Sequence, residues 1–432
     1  MIINIFLSFL FKGGNMVINF ILVPITINLL TSNEYGLWLT LSSIIAWFGI
    51  SDIGLGNGLR NRFAEAVANN DKYKAREYVS TTYFVISVFI IIVWSLFSFI
   101  NIYIDWTSLL NLDSTLKEDL SQTMFILISF FSVQFIVNII NTILYANQEP
   151  GRVAKNSFLG NLLVLICIQV LVLLKIKGSL VLFAIITNIF PLIVTLILTF
   201  IMFNGSLKDY RPSLKLVRLK YMNDLMNLGL KFFFIQISMI FILQSTNILI
   251  TRLLGANEVT VFNIAYRYFS IPLTISLIIF SPLWSAFTDA YSKNDFNWIK
   301  KIYVKANYFM ACIIFSYIIF FLLSDYIYNI WIGKKVIIPF KVSFLMMIYM
   351  IFLTYFSSFI LLINGIGKLK IQLYLYVISA PIYIFLANIL GTKYELNGII
   401  ISNIIIYLIF SFFTYYQLNK LINNKAKGIW NK

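Results

Sequence analysis

Apolar residues along the chain run in long stretches, parted by short clusters of charged and turn-forming residues. A helix needs about 20 mainly apolar residues to cross the hydrocarbon core of a bilayer. Stretches of that length recur about twelve times. In the first half they fall at 8–30, 35–57, 81–103, 121–146, 156–174 and 179–203. In the second half they fall at 228–254, 259–283, 304–323, 340–363, 371–390 and 398–418. A transmembrane barrel would show alternating segments of about ten residues instead. The pattern therefore predicts an all-α integral membrane protein. The opening MIINIFLSFLF lacks the basic start and small-residue cleavage site of a secretory signal, and reads as the approach to the first span.

Composition agrees and removes whole classes of chemistry. Of 432 residues, 60% are hydrophobic and 12% charged, against about 25% charged in soluble domains. The sequence contains no histidine, which excludes a histidine triad, an imidazole base and a histidine metal site. Cys167 and Cys312 lie inside apolar runs and read as small hydrophobes, so neither metal nor cofactor is expected. The net charge of +16 is mostly a topology signal. About 21 basic residues fall on the side of the N-terminus, among them Arg60, Arg62, Arg152, Lys155 and Lys208, against about six on the other side. That bias predicts cytoplasmic termini and argues against nucleic acid. Loops on the far side are short, which leaves little room for the outer catalytic loop of a membrane glycosyltransferase or polymerase.

A repeat divides the chain. Leu29-Leu-Thr-Ser-Asn-Glu34 matches Leu253-Leu-Gly-Ala-Asn-Glu258 at an offset of 224 residues, and the segments ending at Asp71 and Asp295 match in the same register. Gln148–Arg152 and Asn364–Lys368 match less well, at an offset of 216. Span 1 thus pairs with span 7, and each repeat holds an even number of spans. The repeats are therefore parallel, an arrangement of secondary transporters. The expected organisation is a six-helix bundle over 1–205, a cytoplasmic linker over 206–227, a second six-helix bundle over 228–418 and a basic tail over 419–432. The linker is expected as an interfacial amphipathic helix.

Tyr35-Gly-Leu-Trp38, the run Ser51-Asp-Ile-Gly-Leu-Gly-Asn-Gly-Leu-Arg-Asn-Arg62, Ala64-Glu-Ala66 and Val79-Ser-Thr81 resemble the front of polysaccharide-biosynthesis membrane proteins. Pro282-Leu-Trp284 and Asp289–Asp295 resemble that family's second half. These are O-antigen (Wzx-type) flippases of the multidrug/oligosaccharidyl-lipid/polysaccharide exporter superfamily. The resemblance implies two bundles around a central cavity, and translocation of an undecaprenyl-diphosphate-linked oligosaccharide across the bacterial inner membrane. The bilayer, a polysaccharide polymerase and a chain-length regulator are the other candidate partners.

Such a task needs a hydrated, cationic lumen, because stranded polar groups in lipid cost several kcal/mol each. Arg267, about nine residues or ~13 Å into span 8, is the leading candidate for a bidentate grip on phosphate. Lys12 and Lys231 are its candidate supports, with snorkelling to the membrane edge as the other reading of each. Lys12, Asn15, Asn19 and Thr26 form a polar stripe on span 1. Gln134, Asn138 and Asn141 form another on span 4, and Gln236, Gln244 and Asn247 a third on span 7. Each can solvate a glycan or join helices. Asp52, two turns from Arg60, reads either as half of a gate-shaping ion pair or as an ion-coupling site. The rival functions are a multidrug exporter of the same superfamily, which would favour an acidic, aromatic pocket, and a membrane glycosyltransferase or polymerase.

Overall fold

The computed structural model describes residues 2–48, 55–147, 149–222, 241–242 and 244–431. Among them there is no strand, and nine helices are long and apolar enough to cross a membrane. The chain divides into two compact units, Met1–Ile240 and Phe241–Lys432.

The first unit is built from α1 (Ile2–Leu29), α2 (Ser32–Trp47), α3 (Leu55–Ala68), α4 (Lys72–Tyr103), a short α5 (Trp106–Leu110), α6 (Lys117–Val137), α7 (Ile139–Ala146), α8 (Pro150–Leu173) and α9 (Leu180–Asn204). The second holds the helical stretch 244–254, then α10 (Ala256–Ser292), α11 (Phe296–Trp331), α12 (Phe340–Ile366) and α13 (Lys370–Ile422). The last of these carries two expected spans in one. Glu395, with φ of +56°, breaks it into two arms. Gly398 lies so close to the Leu390 carbonyl that a Cβ could not fit, so the chain reverses tightly there. With that helix counted twice, the described residues carry ten of the about twelve expected spans.

The internal repeat is a repeat of helix-end chemistry. Thr31 caps α2 and exchanges hydrogen bonds with Glu34 in a capping box. Asn70 and Asn294 both adopt left-handed backbone, at φ of +59° and +57°. The N–H of Asp71 donates to the Ala66 carbonyl and that of Asp295 to Ala290, each at 2.9 Å. The carboxylates of Asp71 and Asp295 then accept from the backbone N–H groups of Lys74 and Trp298. One helix is thus closed and the next opened by the same residues in both units. These caps let α4 and α11 start about eight or nine residues before the expected spans. The Gln148–Arg152 match has no such basis, because Gly151 sits in the first turn of α8 while Gly367 ends α12 at φ of +81°.

The expected amphipathic linker helix is not what forms. Residues 206–222 make three short 3-10 turns, Lys208–Tyr210, Leu214–Leu216 and Leu219–Tyr221. The segment is strapped to α4. Lys72 pairs with Asp209 at 2.6 Å, and Arg218 pairs with Glu77 at 3.2 Å. The N–H groups of Ser213 and Arg218 donate to the hydroxyls of Ser80 and Thr81. Pro212 forces its predecessor out of helical geometry, and the backbone donors freed by that break find side chains on α4. The Tyr221 hydroxyl donates to Glu77 at 3.0 Å, and burial together with that carboxylate pushes its pKa up to about 12.

Packing in the second unit is aromatic. Phe356, Tyr376, Tyr407 and Phe410 form a buried cluster with ring centroids 4.9–6.0 Å apart. Hydroxyl pairs join the helices, with Ser276 to Ser358 at 2.7 Å and Tyr317 to Thr354 at 2.6 Å. Lipid offers helices no hydrophobic drive to associate, so such packing and hydrogen bonding hold the unit together. The tail folds back on α13, where Trp430 stacks on Phe413 and meets Tyr416 and Lys420.

Replacing either Asp71 or Asp295 by Ala removes a helix cap and should cost about 1 kcal/mol. Thermal unfolding of the purified chain in detergent checks this, with Asn or Ser at the same positions retaining most of the stability.

Candidate functional site

Two glycines set the geometry of the first unit. A Cβ on Gly14 would meet the Phe158 ring at 2.7 Å, so α1 lies directly against α8. A Cβ on Gly160 would meet Pro191 at 2.9 Å, so α8 lies directly against α9. Each close approach brings polar residues together. Next to Gly14, Asn15 donates to Ser157 at 3.3 Å and accepts from Asn161 at 2.7 Å. One turn from Gly160 and Pro191, Asn156 donates to the Thr195 hydroxyl at 2.9 Å.

Thr195 is the hub. Its hydroxyl donates back to the Pro191 carbonyl at 2.7 Å and accepts from Asn156 and, at 3.3 Å, from Gln134. Gln134 also donates to Asn138 at 2.8 Å, and Asn141 donates to the same oxygen at 3.1 Å. Asn138 stands at the break between α6 and α7. Irregular backbone at membrane depth is tolerated where it lines a cavity or is buried in protein, and a cavity is what lies there. It measures about 550 Å³ and is walled by α1, α6, α7, α8 and α9.

Five of the expected residues share this wall: Lys12, Asn15, Gln134, Asn138 and Asn141. Tyr145, Asn156, Ser157, Asn161 and Thr195 join them. Among the described residues, Lys12 is the one cation in the wall and no carboxylate lines it. The carbonyl oxygens of Gln134, Asn141 and Asn156 are buried and meet no protein donor. A buried acceptor left without a donor costs roughly 1–3 kcal/mol, so these three oxygens are a local cost of the packing around the cavity. Counted along the helices at 1.5 Å per residue, the wall residues lie roughly 2–20 Å from the ends that carry the basic loops.

The other expected residues fall elsewhere. Asn19 turns its amide back to the Asn15 carbonyl at 2.8 Å. Arg60 places its guanidinium 5.4 Å from the Tyr145 ring centroid, so a second cation stands behind a wall residue. Arg267 is half-buried on α10, its carbonyl accepting from Ser270. Asn247 accepts from Asn263 of α10 at 2.9 Å, which makes it a helix-joining group, and Gln244 is half-buried one turn before it. Lys231, Gln236 and Asp52 lie outside the described residues. Of the wall residues not expected, Ser157 and Asn161 form an i, i+4 pair that periodicity can detect. Asn156 pairs at i, i+4 with Arg152 and Thr195 with Thr199, but their joining to each other is revealed only by the α8–α9 crossing.

The whole chain shares its fold with transporters. An inward-facing multidrug resistance MATE family transporter of the MOP superfamily superposes with a TM-score of 0.77 at 16% identity, over 95% of this chain and 96% of that one. A MOP superfamily transporter from Pyrococcus furiosus, described by a reversed polarity of its binding pocket, gives 0.64 at 15% identity over 97% and 94%. An O-antigen export protein of Yersinia pseudotuberculosis, so named, is 24% identical over 82% of this chain and 80% of its own length. A protein of Salmonella typhi named as an O-antigen transporter is 22% identical over 81% and 79%. The fold is therefore that of a multi-pass membrane transporter. The chain belongs to the polysaccharide biosynthesis protein family, which it matches over residues 2–288.

Thr195→Val keeps the shape of the hub and strands the amides of Asn156 and Gln134. It should destabilise the protein by roughly 1–3 kcal/mol, while Thr195→Ser stays near the parent; thermal unfolding in detergent compares the two.

Proposed function

We propose that the chain is a flippase that carries an undecaprenyl-diphosphate-linked oligosaccharide, an O-antigen or capsule repeat unit, between the leaflets of the bacterial inner membrane. The observation that carries this reading is the chemistry of the cavity. Its wall combines an ammonium group with a set of amides, and among the described residues it has no acid. Side-chain amides pair with sugar hydroxyls as donors and acceptors, and Lys12 favours an anion. A hydrophobic drug cation would find no counter-charge there, which disfavours multidrug export. The names of the Yersinia and Salmonella relatives support the same substrate class.

In this reading the protein works by alternating access, with both termini cytoplasmic. Asn15, Gln134, Asn138 and Asn141 solvate the glycan, and Gln244 serves the second unit in the same way. Arg267, Lys12 and Lys231 hold the diphosphate or anionic sugars as the headgroup crosses. Asp52 with Arg60 forms the gate or the coupling site for an ion gradient. The polymerase and the chain-length regulator act next on the product.

The test uses liposomes containing the purified chain and a fluorescent lipid-linked oligosaccharide, with a membrane-impermeant quencher reporting its leaflet. Gln134→Leu with Asn138→Leu should slow translocation by about tenfold or more, the loss of two hydrogen-bonding groups at roughly 1 kcal/mol each. Lys12→Arg should retain it. Unchanged translocation in the double variant, or formation of longer glycans by the parent protein, overturns the proposal.

A further inference from the structure

A groove of about 310 Å³ runs between the two arms of α13. Ile371, Ile378 and Ile382 line it on the first arm, and Ile409 and Phe413 on the second. Ile378, Ile382 and Ile409 are well exposed, so the groove is open along its side. From Ile371 to Ile382 it spans roughly 17 Å at 1.5 Å per residue. That is about half of the ~30 Å hydrocarbon core, the depth of one leaflet. The tail closes one end, and left-handed backbone at two positions brings it there. Asn424, at φ of +54°, ends the second arm, and the N–H of Lys425 donates back to the Lys420 carbonyl at 2.8 Å. Gly428, at φ of +58°, turns the chain again, and Ile429 and Trp430 come to line the groove. Trp430 stacks on Phe413, and its ring centroid lies 4.7 Å from the Lys420 Nζ.

We propose that this groove binds an anionic glycerophospholipid of the leaflet on the tail's side, one acyl chain lying along the arms and the phosphate headgroup among lysines at the closed end. The inference stands on the membrane-spanning fold and is independent of the cargo. Charge complementarity selects the headgroup. Lys368 and Lys370 stand where the first arm begins, Lys420 where the second ends, and Lys425 and Lys427 in the tail. Gln417 donates to the Lys368 carbonyl at 3.0 Å, which ties that start to the second arm one turn from Lys420. None of these lysines pairs with a carboxylate among the described residues. Beyond Asp325 the sequence holds a single acid, Glu395, and that residue marks the break at the opposite end of the arms. A lysine near a membrane surface favours anionic lipid by about fivefold. Length selects the chain. The groove ends at about one leaflet's depth, so it seats an acyl chain and leaves most of a long isoprenoid outside. Indole rings favour the boundary between hydrocarbon and headgroups, and Trp430 stands there between Phe413 and Lys420. A lipid held in this way fastens the tail to both arms.

Native mass spectrometry of the full chain tests this, after titration in detergent with phosphatidylglycerol or with phosphatidylcholine of the same acyl chains. Phosphatidylglycerol should bind more tightly by about tenfold or more. Lys425→Gln with Lys427→Gln should weaken phosphatidylglycerol by about tenfold and leave phosphatidylcholine unchanged. Ile378→Trp narrows the groove and should weaken both lipids alike. Lys425, Lys427 and Ile378 are all exposed, so these variants leave the core intact. Equal binding of the two lipids by the parent protein overturns the inference, as does an unchanged phosphatidylglycerol affinity in the double-lysine variant. Displacement of phosphatidylglycerol by undecaprenyl diphosphate at equal concentration, or a dimer that Ile378→Trp disrupts, seats another occupant in the groove and overturns it too. Because neither probe lipid bears a glycan, each of these results leaves the transport reading untouched.

Discussion

Hydrocarbon does not solvate polar groups, and the first unit is arranged around that fact. Thr195 hands its proton to the carbonyl beside it and receives amides from two neighbouring helices. The network exists because glycine at positions 14 and 160 lets α1 and α9 close onto α8. Bulkier residues there would part the helices and leave the amides to lipid. The network is not fully satisfied: the buried carbonyl oxygens of Gln134, Asn141 and Asn156 meet no protein donor.

Much of this was readable in the residues. Span number follows from run length, because each helix must bury its own backbone polar groups. The repeat register followed from Asn-Asp pairs whose work is local: Asn tolerates left-handed backbone and Asp caps the next helix. Local chemistry transfers between sequence and structure without loss. The stripe Gln134, Asn138 and Asn141 likewise names one helix face, and Asn138 proved to mark the break in it. Helix ends were less legible, since caps carried α4 and α11 beyond the apolar runs. The strap over 206–222 was read as a helix because its apolar and basic residues alternate suitably; tertiary contacts with α4 override that pattern. Asn156 and Thr195 were invisible for a different reason. They lie on different helices, and only the helix crossing pairs them.

Fold and function part company in this superfamily. Multidrug transporters share the architecture over nearly the whole chain at 16% identity, so the architecture cannot name the cargo. Under the proposed function the lining of the cavity does so, its amides and ammonium suiting sugars and anions. Arg60, stacked behind Tyr145, adds positive potential without entering the wall.

The most direct measurement asks what reaches that wall. Both native cysteines are free thiols, so Cys167→Ala and Cys312→Ala give a background in which Asn138→Cys is the sole target for a water-soluble maleimide. The account predicts rapid labelling, blocked by a lipid-linked oligosaccharide and not by a hydrophobic drug cation. A thiol that resists labelling, or one shielded by the cation and indifferent to the glycan, would contradict it.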